Sequence, residues 1–307
     1  MNRYLVAFGL VWVSAWAVIA VDAGQALPGA PVDRLGFFIG QLATTMMIGV
    51  LLWLSRGQPA VDYRHELGVR RPWPEALGVL VYLVVVVNVV GPALGFRSHV
   101  GAAGLDDHSR HAWQVQSAAS LVGWAAFYFV FVAGVPLVAF RYRLGYSWRS
   151  LLLRFPRPRR WVPYAAVTGA MSLSAFVSPA YFAVPLWGHL ATVAIFALGT
   201  FIPVMVLVQS ILAPRLAILS GSWLSGAVLA GIAYGVYHLR EFYLEWHTLP
   251  QVAVSLSWVM QIAFFGVLKA ITTLRTGNAW LHIFNTHLPH LAEAPEVVRV
   301  LSGASEQ

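Results

Sequence analysis

The chain has 307 residues, 59% of them hydrophobic and 10% charged, with a mean hydropathy of +0.69. That balance is too apolar for a soluble globular protein of this length and implies a polytopic membrane protein. The absence of cysteine excludes disulfides, thiolate nucleophiles and thiolate metal sites, and the formal charge of +8 reads as membrane topology and contact with anionic lipid rather than nucleic-acid binding.

Eight apolar runs approach the roughly 20 helical residues that cross a hydrocarbon core of about 30 Å. They fall near residues 4–21, 35–55, 76–96, 117–140, 163–182, 187–207, 223–239 and 252–268. Arg3 before the first run suggests a signal peptide, but the seven runs that follow favour an uncleaved transmembrane helix. Backbone groups in lipid must pair internally, so the runs are expected to be helices; the alternation of a closed barrel is missing. Arg56, Arg64, Arg70 and Arg71 fall in one loop, and seven arginines between Arg141 and Arg160 crowd another. With eight spans both loops share a side with Arg3, Arg215, Lys269 and Arg275, and the positive-inside rule makes that side the cytoplasm. Both termini are then cytoplasmic, in what is expected to be a bacterial plasma membrane.

Small residues punctuate the spans. Gly169, Ser172, Ser174 and Ser178 give the fifth a small face, and Gly221, Ser225, Ala230, Gly231 and Gly235 offer close approach in and before the seventh. The segment "RYRLGYSWRSLLLRFPRPRRW" interleaves Trp148, Leu151, Leu152 and Leu153 with arginine and suits a short interface helix. The last stretch, "LAEAPEVVRVLSGASEQ", lacks an apolar span and reads as a short helix and frayed tail. The expected architecture is therefore an all-α bundle of about eight transmembrane helices forming one domain over residues 1–290, followed by a cytoplasmic tail over 291–307.

None of the twelve acidic residues lies within a predicted span. An ionised carboxylate at the bilayer centre costs about 2.5–3.5 kcal/mol on insertion scales, so retained ones mark function; here no mid-depth acid is expected to serve as base or proton relay. The external loops gather polar groups instead. In "HLREFYLEWH", His238, Glu241 and Glu245 recur at helical spacing, and in "DDHSRHAW" His111 shares a face with Asp107 or His108 if that loop is helical. Asp107, His108, His111 and His238 would then offer zinc ligands or an acid and base, although hydrated surface groups are the plainer reading. Neither stretch carries the paired-histidine helix motif of zinc hydrolases, and no cofactor is implied. "RTGNAWLHIFNTHLPH" follows the last span; capping and a Trp280 anchor account for it. Should it re-enter the bundle, His287 would approach polar residues of other helices.

From Phe201 to about His290 the chain resembles the CAAX protease and bacteriocin-processing family, also grouped as Abi, whose members look like intramembrane glutamic proteases. Pro203 fits the family's leading proline, "ILAPRL" at 211–216 its leucine-rich tail, Trp223 its tryptophan, and "YGVYH" at 234–238 its aromatic and histidine element. "RTGNAW" at 275–280 resembles the turn before the last histidine helix, for which His287 stands one residue off the usual offset. The resemblance implies a family-like core over about residues 160–290.

The departures fall on the chemistry. The paired glutamates of the family fall on Met205 and Val206, its arginine on Ser210 and its glycine on Ile211. That family is understood to use the first glutamate to activate water while histidines polarise the amide; neither Met205 nor Val206 accepts a proton at neutral pH. The resemblance thus implies a pseudoprotease that binds membrane lipid, a hydrophobic or prenylated peptide, or a membrane-protein partner near His238 and His287. Two alternatives stay open: an active, metal-independent protease in which Glu241 or Glu245 joins those histidines, and a small-molecule transporter, for which midplane charge and an inverted repeat are missing.

Overall fold

A computed structural model describes residues 3–21, 34–56, 63–98, 117–154, 158–170, 179–241, 244–284 and 287–303, and every regular element among them is helical. In chain order these are α1 (Arg3–Val21), α2 (Arg34–Leu54), α3 (Tyr63–Leu67), α4 (Pro72–Ala93), α5 (Ala118–Arg143), α6 (Pro158–Gly169), α7 (Pro179–Phe182), α8 (Leu186–Ser220), α9 (Trp223–Tyr237), α10 (Leu249–Thr276) and α11 (Ala294–Ser302). Two short 3-10 segments, Ala279–Phe284 and Leu288–Glu293, lie between the last two. Four helices, α4, α5, α8 and α10, are long and apolar enough to cross a membrane, which makes the chain a multi-pass membrane protein.

Proline sets the shape of the long helices. The π-helical stretches Val86–Val90, Tyr128–Gly134, Ala197–Phe201 and Met205–Leu212 each end two residues before a proline: Pro92, Pro136, Pro203 and Pro214. A proline lacks the N–H that would bond four residues back and its ring crowds that carbonyl. The wider turn relieves the clash without ending the helix. This is why α8 runs on to Ser220, well past the expected limit at residue 207, and carries Ser210 and Arg215 inside the bundle.

Small residues seat α9 on α10. A Cβ on Gly266 would lie 2.7 Å from the Cβ of Tyr234 and 2.8 Å from the Cα of Gly231, and one on Gly231 would lie 2.4 Å from Val267 Cγ2. The close approach expected of Gly231 and Gly235 is thus observed. Helix α10 starts at a capping box between Thr248 and Gln251 and stops at Gly277, which takes a left-handed φ of +68°. It therefore continues past residue 268 and takes in Lys269 and Arg275. Residues 171–178, with Ser172, Ser174 and Ser178 of the predicted fifth span, lie outside the described residues.

The basic loops are fastened by one buried ion pair. Arg215 on α8 donates from Nε to Glu75 Oε2 of α4 at 2.7 Å and from Nη1 to the Ile211 carbonyl at 2.7 Å, with Phe140 and Tyr146 against its guanidinium. The Tyr146 hydroxyl donates to Glu75 Oε1 at 2.7 Å and accepts from the Arg70 N–H at 3.2 Å. Burial, followed by the Glu75 bond, pushes the Tyr146 phenol above its ordinary value, which keeps it a donor.

The described part of the C-terminal stretch packs against the rest of the bundle. The Ala279 N–H donates to the Leu152 carbonyl and Trp280 Nε1 to the Leu153 carbonyl, both at 2.9 Å. Farther on, His282 meets Phe201, His290 stacks on Phe196, and Val298 packs at Gly188. The segment therefore climbs alongside α8 from the level of Ser210, which donates to the Leu151 carbonyl, to its first turn, a rise of roughly 30 Å at helical pitch. Val297 and Val300 of α11 are buried, because the helix presents an apolar face to α8 while Glu296 and Arg299 pair on its partly exposed side. The short helix expected in this stretch is observed as α11, with its apolar face covered by protein, and residues 304–307 lie outside the described residues.

Candidate functional site

Helix α9 ends at Tyr237, and the turn that follows brings Glu241 back under His238. His238 Nδ1 and Glu241 Oε1 are 2.6 Å apart, and both side chains are fully buried. The carboxylate is the acceptor, so Nδ1 carries the proton in this geometry. The sequence spacing puts His238, Glu241 and Glu245 on one face of a continued helix; instead α9 stops, and a turn brings His238 and Glu241 together in the interior rather than on a hydrated surface. Glu245 does not join them. It is exposed, bonds the Gln251 side chain, and its backbone N–H and C=O both bond the Ser255 hydroxyl. Tyr234, one turn before His238, presents its ring edge-on to the imidazole with centroids 4.6 Å apart.

Through Tyr234 this pair adjoins a second polar group that the sequence did not disclose. Lys269 of α10 is fully buried; its Nζ donates to the Tyr234 hydroxyl at 2.8 Å and to His287 Nε2 at 2.8 Å, and lies 4.1 Å from the Tyr234 ring centroid. Tyr234 leans toward the start of α9 and Lys269 toward the start of α10, as helical side chains do, so two antiparallel helices bring their tips together. His287 arrives from the returning segment and meets His282 edge-on at 4.6 Å and Phe201 at 5.1 Å. His282 Nε2 donates to the Phe201 carbonyl at 2.8 Å, a backbone group of the widened part of α8. His290 Nδ1 donates to Glu293 Oε1 at 2.8 Å.

The interior thus holds two histidine–glutamate pairs, each three residues apart, on either side of a Lys269–His287 contact. Such a group can hold protons and donate hydrogen bonds at fixed positions, and its members are oriented by one another. Sequence spacing singles out His238 and Glu241, and the family resemblance His287; Lys269 is passed over because a charge next to an apolar run reads as the end of that run.

The positions on which the resemblance sets the family's acids look different. Met205 and Val206 are each 1% exposed, and every residue from Met205 to Leu212 is buried. Ser210, where the resemblance sets the family's arginine, donates to the Leu151 carbonyl. Gln209 is fully buried, and neither end of its amide has a hydrogen-bond partner among the described residues. Asp107, His108 and His111 lie outside the described residues, and among those described no three histidines or acids are grouped to hold a metal. No family model, curated protein or solved structure matches the chain.

Proposed function

We propose that the protein is a membrane-embedded binding scaffold, built on the plan of the CAAX protease and bacteriocin-processing family but without that family's way of activating water. It holds a hydrophobic peptide, a lipid or a membrane-protein partner without cutting it, in a bacterial plasma membrane with the arginine-rich loops toward the cytoplasm.

The burial of Met205 and Val206 carries this reading. A water-activating carboxylate needs hydrogen-bond reach to a water and a path for the proton; a thioether and an isopropyl group sealed in the core supply neither. Losing one positioned proton-transfer group removes a factor of about 10² to 10⁴ in rate. His287 supports it as well, since its Nε2 already accepts from Lys269. Protein reconstituted in lipid nanodiscs and incubated with a prenylated C-terminal peptide should release no product. Turnover that His238→Ala abolishes refutes the reading.

One observation favours a second reading. The 2.6 Å contact of Glu241 with His238 is what an oriented general base requires, and a rearranged protease would use it. In that case Glu241→Gln, which keeps the shape and removes the charge, would lower turnover along with His238→Ala.

A further inference from the structure

The ends of two membrane-spanning helices meet at the arginine-rich loops. Helix α4 begins at Pro72 and α5 ends at Arg143, and both are of spanning length, so their junction stands at the level of the lipid headgroups. The Arg70 N–H donates to the Tyr146 hydroxyl at 3.2 Å, which sets the two ends side by side. Arg70, Arg71, Arg143 and Arg149 are exposed there, and among the described residues none has an acid at ion-pair distance. Glu75 is already engaged by Arg215 and Tyr146, and Glu66, the exposed acid of α3, pairs with none of the four.

Large rings are interleaved with these charges along the chain. Trp73 is 63% exposed, Tyr142 70% and Trp148 45%. The Arg141 guanidinium lies 5.4 Å from the Tyr142 ring centroid and 5.7 Å from that of Trp148. A soluble polyanion would satisfy the arginines and leave the rings in water, whereas a bilayer surface takes both, phosphates on the guanidinium groups and ring bodies at the acyl boundary. The same loop is tied inward. The successive carbonyls of Leu151, Leu152 and Leu153 accept from the Ser210 hydroxyl, from the Ala279 N–H at 2.9 Å and from Trp280 Nε1 at 2.9 Å. Leu152 does so at a left-handed φ of +55°, which a branched side chain keeps only where its surroundings hold it.

We infer that this face docks on anionic phospholipid headgroups, and that the docking steadies the turn from which the returning C-terminal segment hangs. The four arginines meet lipid phosphates while Trp73, Tyr142 and Trp148 enter the boundary below them. An acidic protein is the competing occupant, and the exposed rings at the ends of two spans decide against it. The surface does not involve the histidines of the interior, and it stands whether the bundle holds a partner or cuts one.

The full chain in nonionic detergent, titrated with dioleoyl phosphatidylglycerol and with dioleoyl phosphatidylcholine and read by native mass spectrometry, tests the docking. Phosphatidylglycerol should be preferred by about tenfold or more, since each arginine near an anionic surface is worth about fivefold. Arg143→Gln combined with Arg149→Gln should erase most of that preference, and Arg143→Lys combined with Arg149→Lys, which conserves charge, should keep it. In nanodiscs of phosphatidylglycerol the C-terminal stretch should resist proteolysis longer than in phosphatidylcholine, and the glutamine pair should lose the difference. Equal binding of the two lipids overturns the docking, as does a preference that survives the glutamines or vanishes with the lysines. A preference without any change in proteolysis overturns the tie to the C-terminal segment. Polyglutamate that displaces phosphatidylglycerol and protects the C-terminal stretch equally well in phosphatidylcholine overturns the lipid as occupant in favour of an acidic protein.

Discussion

Arg215 is fully buried and the Glu75 side chain is 9% exposed, so their ion pair is largely withdrawn from water and breaking it should be costly. Removing one member of a buried pair leaves the other charge uncompensated and costs about 3–5 kcal/mol. Arg215→Met belongs at the low end of that range, because Glu75 keeps its two contacts from the Tyr146 hydroxyl. Glu75→Gln belongs at the high end: Arg215 would keep the Ile211 carbonyl and the Phe140 and Tyr146 rings but lose the only acid it pairs with among the described residues. The double variant should recover part of the loss, with a coupling of about 1.5 kcal/mol or more, since residues in one network do not add. Unfolding in mixed micelles titrated with dodecyl sulfate, followed by tryptophan fluorescence, measures all four proteins. Single losses below about 1 kcal/mol, or additivity within about 0.5 kcal/mol, would refute the assignment of this pair as the fastener of the basic loops.

Gly266→Ala should destabilise by about 1–3 kcal/mol, since its methyl would be driven against Tyr234 and Gly231; Gly78→Ala, in the same kind of helix with nothing within 4 Å, is the control and should not destabilise, gaining up to about 1 kcal/mol. Trp280→Phe removes the bond to the Leu153 carbonyl and should cost about 1 kcal/mol, with faster proteolysis of the C-terminal stretch as the second readout; unchanged proteolysis would argue against docking at that carbonyl.

Hydropathy placed the four long helices but not their ends, as α10 shows. Lys269 closes the apolar run, whereas the true stop is Gly277, the residue able to take the left-handed φ at the cap. The glycine was the better guide, because a lysine is tolerated in a span once other helices supply its partners. The spacing of His238 and Glu241 draws attention on the expectation of a continued helix, whereas α9 ends at Tyr237 and a local turn, which needs no tertiary knowledge, makes the contact. Its burial does need it, since the cover comes from other elements of the bundle. Glu75 and Arg215 are 140 residues apart, and no local pattern links them. Residues 279–302 stayed open for a similar reason: capping and re-entry both fitted the sequence until Phe201, Lys269 and Phe196 appeared opposite the histidines.

The return of that segment bears on how the molecule is made. A stretch of 3-10 turns bearing His282, His287, His290 and Glu293 has no continuous apolar helix that a translocation machine could release into lipid by partitioning. It can enter only once α8 and α10 already stand side by side and offer the Phe201 carbonyl and Lys269. Insertion and completion are therefore separate events, and the second waits on the first. A nascent chain halted between them would be correctly threaded yet unfinished, with a polar slot facing into the bilayer for membrane quality control to recognise.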